Sequence, residues 1–265
     1  MTGLATAPLR WLAATGEMVA FFARVISRVF RGRVFQFFGE ALRQAGVLIT
    51  GSVLLLLGLV FVLGLQCGIE GAYGTEAVGA PSVAGAFTAL CDLRELTPYA
   101  FGYMMAAKVG TGFVAELGSM RISEEIDALE VMGFDSLVYL CATRLLAMWM
   151  LIPFVYITAI GVGFVGSYVA VVDELAHVSA GGYLSLFWEF QSPMDLLYSV
   201  IKAMSMSTFI VLVACYFGYN ASGGPVGVGA ATAKSMAVNL LGIHAIGLLG
   251  SQLFWGGNAR APIGG

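Results

Sequence analysis

Residues 44–69 contain no charged side chain, and this stretch limits what the chain can form more than any other. Its centre reads LITGSVLLLLGLVFVLGL. A transmembrane helix needs roughly 20 apolar residues, so this stretch is long enough to cross a bilayer. The composition agrees, because 59 % of the 265 residues are hydrophobic and 11 % are charged, with a mean hydropathy of +0.88. Too little polar surface is available for a water-soluble domain, so we predict a multi-span membrane protein.

Four further segments are predicted to cross the membrane, which makes the fold class an all-α integral membrane protein with five transmembrane helices. These segments are residues 96–115, 145–172, 196–217 and 236–256. The side of each loop follows from its charge. Five arginines lie between residues 24 and 43, whereas the loop over residues 70–95 has four acidic side chains and one arginine. By the positive-inside rule, the N-terminus is in the cytoplasm and the C-terminus is outside.

The N-terminal segment, residues 1–38, differs from the spans. Within residues 9–38, apolar side chains recur at helical spacing and arginines lie between them. This pattern predicts a basic helix that lies in the inner headgroup layer, and a poorly ordered basic tail is the alternative. The predicted organisation is this segment, a membrane domain over residues 39–257 and an extracytoplasmic tail over residues 258–265.

An acid-rich segment, ELGSMRISEEIDALEVMGFD at residues 116–135, separates the second and third spans. Six of the 16 acidic residues of the chain lie in it, and the predicted topology places it in the cytoplasm. Ser123 is expected to cap a short helix over residues 124–132, with acidic side chains in the first turn, where the helix dipole favours them. Gly133 is expected to end this helix.

The predicted helix has two different sides. Three carboxylates follow one another at three-residue spacing, at Glu124, Asp127 and Glu130. No basic side chain of the helix relieves their repulsion, which a cationic or hydrogen-bonding partner from another chain would offset. Four apolar side chains gather on the other side, interrupted by Glu125: Ile126, Ala128, Leu129 and Met132. The residues alone leave two interpretations open, a docking surface or a solvated loop between two spans.

Two motifs resemble nucleotide-binding sites but lack their context. GVGFVG at residues 161–166 matches G-x-G-x-x-G, yet it lies in an uncharged apolar span without a preceding strand, so packing between helices explains it better. PVGVGAATAKS at residues 225–235 has Val228 and Ala233 where a phosphate-binding loop needs glycines. No catalytic combination of His, Cys or Ser accompanies the acid-rich segment. We therefore predict a chain that is not an enzyme and binds no cofactor, with any ATP bound by a partner.

Several motifs together resemble the MlaE/YrbE permeases, the membrane subunits of the ABC lipid transporters that serve MCE proteins. They are AAKVGTGFVAELGSMRISEEIDALEVMG at residues 106–133, TRLLA at 143–147, LGLQ at 63–66, RELTP at 94–98 and CYFGYNASGGPVGVGAATAKSM at 215–236. The resemblance extends over nearly the whole chain from about residue 34. The sequences SEEIDALEVMG and GGPVGVG are most similar to those of the actinobacterial YrbE branch.

The resemblance implies a role for the acid-rich segment. In this family, the segment between spans two and three is a cytoplasmic coupling helix that lies in a cleft of the ATPase subunit. The residues implied in this coupling are Glu116, Ser123, Glu124, Glu125, Ile126, Asp127, Leu129, Glu130 and Met132. The chain is then a multi-pass protein of the cytoplasmic (inner) membrane. Its implied partners are an ABC ATPase that holds ATP and Mg, a second permease chain, MCE-domain proteins and a lipid, with no nucleic acid.

The resemblance also points to residues near the lipid path: Gln66, Arg94, Glu95, Lys108 and Lys202. Arg94 and Glu95 match an RE pair of the family that lies along this path, and an interfacial anchor is the alternative for both. A lone lysine inside a span costs roughly 2.5–3.5 kcal/mol, so each lysine should face a cavity or a partner, unless it extends to an interface. The family often has an acidic residue in the last span, where this chain has only His244 nearby, so no partner of Lys202 is identified.

The function implied by the resemblance is transport of a lipid (phospholipid, fatty or mycolic acid, or sterol) across or out of the inner membrane, coupled to a separate ATPase. A structural subunit of the MCE complex without substrate contacts is the alternative. A secondary transporter is disfavoured because the predicted span interiors lack carboxylates. The lipid, the direction of transport and the identity of the second permease stay open. For Cys67 and Cys91, both near the predicted outer face, packed thiols are favoured over a disulfide.

Overall fold

The structure is a computed structural model that describes residues 3–176 and 178–257, with side chains from residue 12 onward. Every regular element in this part of the chain is helical, which confirms the predicted all-α fold class. Ten α-helices, α1 to α10, cover Gly3–Phe30, Phe38–Ala77, Ala84–Leu90, Thr97–Met104, Thr111–Ile122, Glu125–Val131, Thr143–Tyr168, Ala180–Glu189, Pro193–Tyr219 and Gly224–Trp255. The predicted tail over residues 258–265 lies outside the described residues.

Four helical stretches of the described chain are long and apolar enough to cross a bilayer: Arg33–Ala77, Leu137–Glu174, Pro193–Tyr219 and Gly224–Trp255. They correspond to the first, third, fourth and fifth predicted spans. The predicted second span instead falls in a run of shorter helices, α3 to α5, joined by π-helical turns at Cys91–Leu96 and Met105–Gly110. Because of these turns no single α-helix covers this span, and its crossing of the membrane stays a prediction.

The N-terminal segment begins as a regular helix. α1 buries Phe21, Val25 and Val29, and the ring of Phe21 lies 5.6 Å from that of Tyr216 in α9. The described part of this segment is therefore helical. The helix predicted over residues 9–38 ends earlier, at Phe30, because Gly32 turns the chain with a φ of 74° before a 3₁₀ turn at Arg33–Phe37.

The chain divides into two compact units. The first contains Met1–Val47, Ala107–Met150 and Thr208–Asn239. The second contains Leu48–Ala106, Leu151–Ser207 and Leu240–Gly265. Helices α1, α5 and α6 belong to the first unit, α3, α4 and α8 belong to the second, and the four long helices contribute residues to both.

Glycines allow α2 and α7 to pack closely in the second unit. A Cβ added to Gly166 would lie 2.4 Å from the carbonyl oxygen of Phe61, and one added to Gly64 would lie 2.3 Å from that of Gly163. The hydroxyl of Ser167 donates a hydrogen bond of 3.0 Å to the Gly64 carbonyl. The GVGFVG motif is therefore a helix-packing surface, as small residues often are between membrane helices.

Cysteine pairing differs from the prediction. Cys67 in α2 and Cys91 in the first π-helical turn form a disulfide, with their Cα atoms 6.8 Å apart. The expectation of packed thiols was wrong for this pair because two residues 24 positions apart are brought together by the fold, which spacing in the sequence does not show. Cys141 and Cys215 are free and buried, as expected of packed thiols.

Replacing Gly166 by Ala should destabilise the protein, because the added methyl group would overlap the Phe61 carbonyl. Overpacking of this kind costs about 1–3 kcal/mol. Gly161→Ala in the same helix is the matched control, since nothing lies within 4 Å of its added Cβ. Thermal unfolding of both variants in detergent checks this. Equal melting temperatures for the two variants would contradict the packing described here.

Candidate functional site

The acid-rich segment forms a short helix with a start that differs from the prediction. α5 ends at Ile122, Glu124 adopts a left-handed conformation with a φ of 62°, and α6 begins at Glu125. Ser123 does not cap α6; its hydroxyl donates to the Ser119 carbonyl and to Oε1 of Glu125, both at 2.9 Å. A capping side chain needs an extended backbone at the N-cap, and the tight turn between α5 and α6 does not provide one.

The end of α6 agrees with the prediction. Gly133 has a φ of 85°, its N–H donates to the Glu130 carbonyl at 2.9 Å, and the N–H of Phe134 donates to the Leu129 carbonyl at 3.1 Å. These two bonds form a Schellman motif, which satisfies carbonyls at the end of a helix. Gly133 therefore ends α6 as expected.

Two of the three predicted column carboxylates have partners within the chain. Asp127 accepts a hydrogen bond of 2.6 Å from Arg121, and Glu130 accepts from Ser136 at 2.5 Å and from Tyr219 at 3.0 Å. Neither carboxylate therefore needs a partner from another chain to offset the repulsion between them. The sequence of the helix itself contains no base, and Arg121 comes from α5.

The apolar residues of α6 point in two directions. Ile126 is fully buried and Leu129 is half-buried, so both pack inside the first unit. Met132 is 64 % exposed, and Val131, which the prediction omitted, is 90 % exposed. We use the name α6 surface for five exposed residues of this segment: Glu124, Glu125, Asp127, Val131 and Met132.

A buried arginine connects the helices on either side of α6. Arg144 at the start of α7 is 2 % exposed, and its Nη2 lies 2.7 Å from Oε1 of Glu116 in α5. Its Nη1 donates to the Leu140 carbonyl at 2.5 Å, and its guanidinium lies 5.2 Å from the ring centre of Phe113. Glu116 was among the predicted coupling residues, and Arg144 was not. The available signal was a single cation in TRLLA, directly before an uncharged span.

Three predicted lipid-path residues meet in the second unit. The buried Nζ of Lys202 donates to the Arg94 carbonyl at 2.8 Å, to Oε2 of Glu95 at 3.0 Å and to the Ser251 hydroxyl at 2.7 Å. Glu95 is about half exposed and also accepts from Ser251. The ammonium lies 5.0 Å from the ring centre of Tyr99. Glu95 is thus the ionic partner of Lys202 that the sequence did not identify.

A second ion pair lies beside the first. In this pair the π-helical turn supplies the cation and α9 supplies the anion, the reverse of the Glu95–Lys202 pair. Arg94 is 3.1 Å from Oδ2 of Asp195, whose Oδ1 accepts a hydrogen bond of 2.7 Å from the indole of Trp255. Asp195 is buried at the start of α9 and was missed, although it is the acidic residue next to the predicted fourth span. We name Arg94, Glu95, Asp195, Lys202 and Ser251 the ion-pair cluster.

The other two predicted lipid-path residues do not join the ion-pair cluster. Gln66 in α2 and Lys108 in the second π-helical turn are exposed, and neither takes part in its hydrogen bonds or ion pairs. The cluster itself presents the half-exposed carboxylate of Glu95 beside its neutralised cations. Such an arrangement suits hydrogen bonding to a polar group better than proton transfer or nucleophilic attack.

Asp92 has a buried carboxyl group. It directly follows the disulfide cysteine Cys91 and lies just outside the predicted second span. The single hydroxyl proton of Ser167 is shared between Asp92 and the Gly64 carbonyl, both of which are within hydrogen-bond distance. Burial raises the pKa of Asp92 to about 8, although the bond from Ser167 opposes this shift. The carboxyl is therefore mostly protonated at neutral pH, and its burial adds little charge to the second unit.

Comparison with known proteins identifies relatives over most of the chain. A family model described as Permease MlaE matches residues 41–253. The intermembrane phospholipid transport system permease protein MlaE of Haemophilus influenzae is 26 % identical over 242 residues, which cover 86 % of this chain and 91 % of that protein. A probable ABC transporter permease protein of Rickettsia bellii is 29 % identical over 195 residues, 74 % of this chain and 75 % of that protein.

A plant protein matches a smaller region. The chloroplastic protein TRIGALACTOSYLDIACYLGLYCEROL 1 of Arabidopsis thaliana is 30 % identical over 173 residues. These cover 65 % of this chain and 49 % of the plant protein, so the match spans about half of that relative's length.

Removing one partner of the Glu95–Lys202 pair should be more harmful than removing both. Glu95→Gln leaves the buried ammonium of Lys202 without an anion, which we expect to lower the free energy of unfolding by about 3 kcal/mol. Glu95→Gln/Lys202→Met should lose less, because no charge is then left buried. Glu70→Gln, at an exposed carboxylate without an ion pair among the described residues, is the control. Thermal unfolding of the purified variants measures these effects. A double variant less stable than the single variant would show that Glu95 does not neutralise the Lys202 ammonium.

Proposed function

The chain belongs to the MlaE permease family, and from this premise we propose that it is the transmembrane subunit of an ABC transporter that moves lipid across or out of the inner membrane. The names of the Haemophilus and Rickettsia relatives support lipid transport and ABC-type coupling respectively. We infer that a separate ATPase binds ATP and Mg and hydrolyses the nucleotide. The permease chain itself contributes the membrane path and the surface on which the ATPase acts.

The observation that carries this proposal is the α6 surface. Val131 and Met132 are adjacent, apolar and exposed, and they lie between α5 and α7, outside the stretches long enough to span a bilayer. Exposed carboxylates of the same segment accompany them, at Glu124, Glu125 and Asp127. Apolar side chains together with charged ones are the usual components of a protein interface. We propose that the ATPase covers Val131 and Met132.

This assignment modifies the coupling residues implied by the resemblance. Glu124, Glu125, Asp127 and Met132 belong to the proposed contact, and Val131 is added to it. Ile126 and Leu129 support α6 from inside, and Glu130 is held by Ser136 and Tyr219. Glu116 acts from α5 through its ion pair with Arg144.

The transported lipid is proposed from the relatives. The name of the Haemophilus protein refers to phospholipid, which makes a phospholipid the first candidate here. Fatty or mycolic acid and sterol are the other candidates, since apolar cavities discriminate weakly among long-chain ligands. A single chain with five spans has too few helices to enclose such a ligand. We therefore propose that the chain pairs with a second permease chain and works with MCE-domain proteins.

The arginines near the N-terminus support an orientation in the inner membrane. We propose that the N-terminus and the α6 surface are cytoplasmic and that the C-terminus is extracytoplasmic. In this arrangement residues 1–38 form the interfacial segment, residues 39–257 the permease domain and residues 258–265 the outer tail. A structural subunit without substrate contacts is the second candidate, favoured by the full neutralisation of Lys202 within the chain.

A charge in place of an apolar side chain of the α6 surface should uncouple the ATPase. Val131→Asp and Met132→Asp would each bury an unpaired carboxylate in the contact, so ATPase co-purification should fall tenfold or more. Val78→Asp is the control, because Val78 is 77 % exposed in the loop after α2, on the opposite side of the membrane in the proposed topology. Co-purification and lipid-stimulated ATP hydrolysis are measured at equal expression. Normal values for both α6 variants would show that α6 is only a connecting loop.

The proposed orientation predicts which single cysteines react with an impermeant thiol reagent. Cysteine at Gly257, which follows α10, should be labelled in intact cells from which the outer barrier has been removed. Cysteine at Ser222, exposed between α9 and α10, should be labelled only after the inner membrane is permeabilised. The opposite labelling pattern would show that the protein has the reverse orientation in the membrane.

A further inference from the structure

A pocket lined by arginines lies at the C-terminal end of α1. Its volume is about 460 Å³, and its lining residues are Ala23, Arg24, Ser27, Arg28, Arg31 and Arg33. Positions 24, 27, 28 and 31 share one face of a helix because of their three- and four-residue spacing. Arg33 joins them after the chain turns at Gly32. We name this group the arginine pocket.

The arginine pocket has an excess of positive charge. Asp135, directly after α6, lies 2.9 Å from Nε of Arg28 and 3.3 Å from Nη1 of Arg33. Arg24 and Arg31 are exposed, and Arg24 packs its guanidinium 5.9 Å from the ring centre of Phe21. Asp135 thus pairs with two of the four arginines of the pocket, and no ion pair of the other two is seen among the described residues. A bound anion would reduce their mutual repulsion, and guanidinium groups bind phosphate with paired hydrogen bonds.

The surroundings of the arginine pocket favour a lipid over an acidic protein surface. Val19 and Phe30 of α1 are 61 % and 77 % exposed, and the ring centre of Phe30 lies 6.0 Å from that of Trp149. Exposed apolar side chains next to arginines are typical of helices at the boundary between headgroups and acyl chains. A phospholipid offers both parts of this environment, a phosphate for the arginines and acyl chains for Val19 and Phe30.

We propose that the arginine pocket binds the phosphate group of an anionic phospholipid of the membrane leaflet next to α1, with its acyl chains against the apolar side chains of that helix. This lipid is a bound component and not the transported substrate. The proposal needs neither the ATPase contact nor a particular substrate, so it stands apart from the proposed function.

A lipid bound in the arginine pocket would also interact with the acid-rich segment. The bound phosphate would share Arg28 and Arg33 with Asp135, two residues after the glycine that ends α6. The lipid phosphate and Asp135 would therefore be linked through the same two arginines.

The test uses the full-length chain, purified with its partner subunits, and native mass spectrometry to count bound lipids. Phosphatidylglycerol is titrated against phosphatidylcholine, which carries the same phosphate without a net negative charge. Arg24→Gln/Arg31→Gln removes two pocket arginines that do not contact Asp135. We expect this double variant to bind phosphatidylglycerol roughly 30-fold more weakly while phosphatidylcholine is unaffected.

The control variant, Arg43→Gln/Lys234→Gln, removes two exposed cations of the first unit outside the pocket and should bind as the unmodified protein does. Equal loss in both double variants would show a long-range charge effect and overturn the proposal. Displacement of phosphatidylglycerol by inorganic phosphate at equal concentration would identify a free-phosphate site instead. Unchanged lipid binding with reduced ATPase co-purification would identify a protein-docking surface. Either result would also overturn the lipid assignment.

Discussion

The hydrocarbon core of a bilayer offers no hydrogen-bonding partner, and the rest of this structure depends on that constraint. Backbone groups satisfy each other within helices. Hydroxyl side chains do the same locally: Thr158 donates to the Phe154 carbonyl at 2.9 Å, and Ser205 donates to the Ile201 carbonyl at 2.8 Å. Charged groups have no such local solution because a helix carbonyl does not neutralise them. Each buried charge must instead find a partner on another element, which ties distant parts of the chain together.

The ion-pair cluster shows how this requirement fixes the position of a helix. Asp195 and Lys202 are seven residues apart on α9, about two helical turns, and so lie on the same face. They pair with Arg94 and Glu95, which are adjacent in a π-helical turn. A slide of α9 by two turns would bring Lys202 towards Arg94 or Asp195 towards Glu95, and these like charges would repel. The reversed polarity of the two pairs therefore specifies one register of α9, while apolar contacts alone would tolerate several.

The sequence predicts the long helices because each is a continuous apolar run, as at residues 44–69. It does not predict the π-helical turns, since Met105–Gly110 consists of small and apolar residues with one lysine, a composition that an α-helix also accommodates. The helix of the acid-rich segment is likewise predictable at one end and not at the other. Its end is predictable because Gly133 provides a left-handed position, whereas its start depends on the unexpected left-handed conformation of Glu124.

Side-chain partners are the least predictable part, because they join residues far apart in the chain. Arg28 meets Asp135 across 107 positions, and Lys202 meets Glu95 across 107 positions. Ile126 fits the apolar pattern of a docking face, yet it is fully buried. Helical spacing identifies the apolar side of a helix, but it does not show whether this chain or another one covers that side. Only the neighbouring helices decide this.

The contacts that hold α6 in place determine how this helix would transmit a movement. A helix of seven residues is too short to be stable alone, so its shape depends on the contacts at its sides. Asp127 connects it to α5 through Arg121, and Glu130 connects it to the end of α9 through Tyr219 and to the segment before α7 through Ser136. With Ile126 buried, α6 has three connected neighbours. A force applied at Val131 and Met132 would therefore move the ends of several helices together, which a flexible loop of the same length would not do.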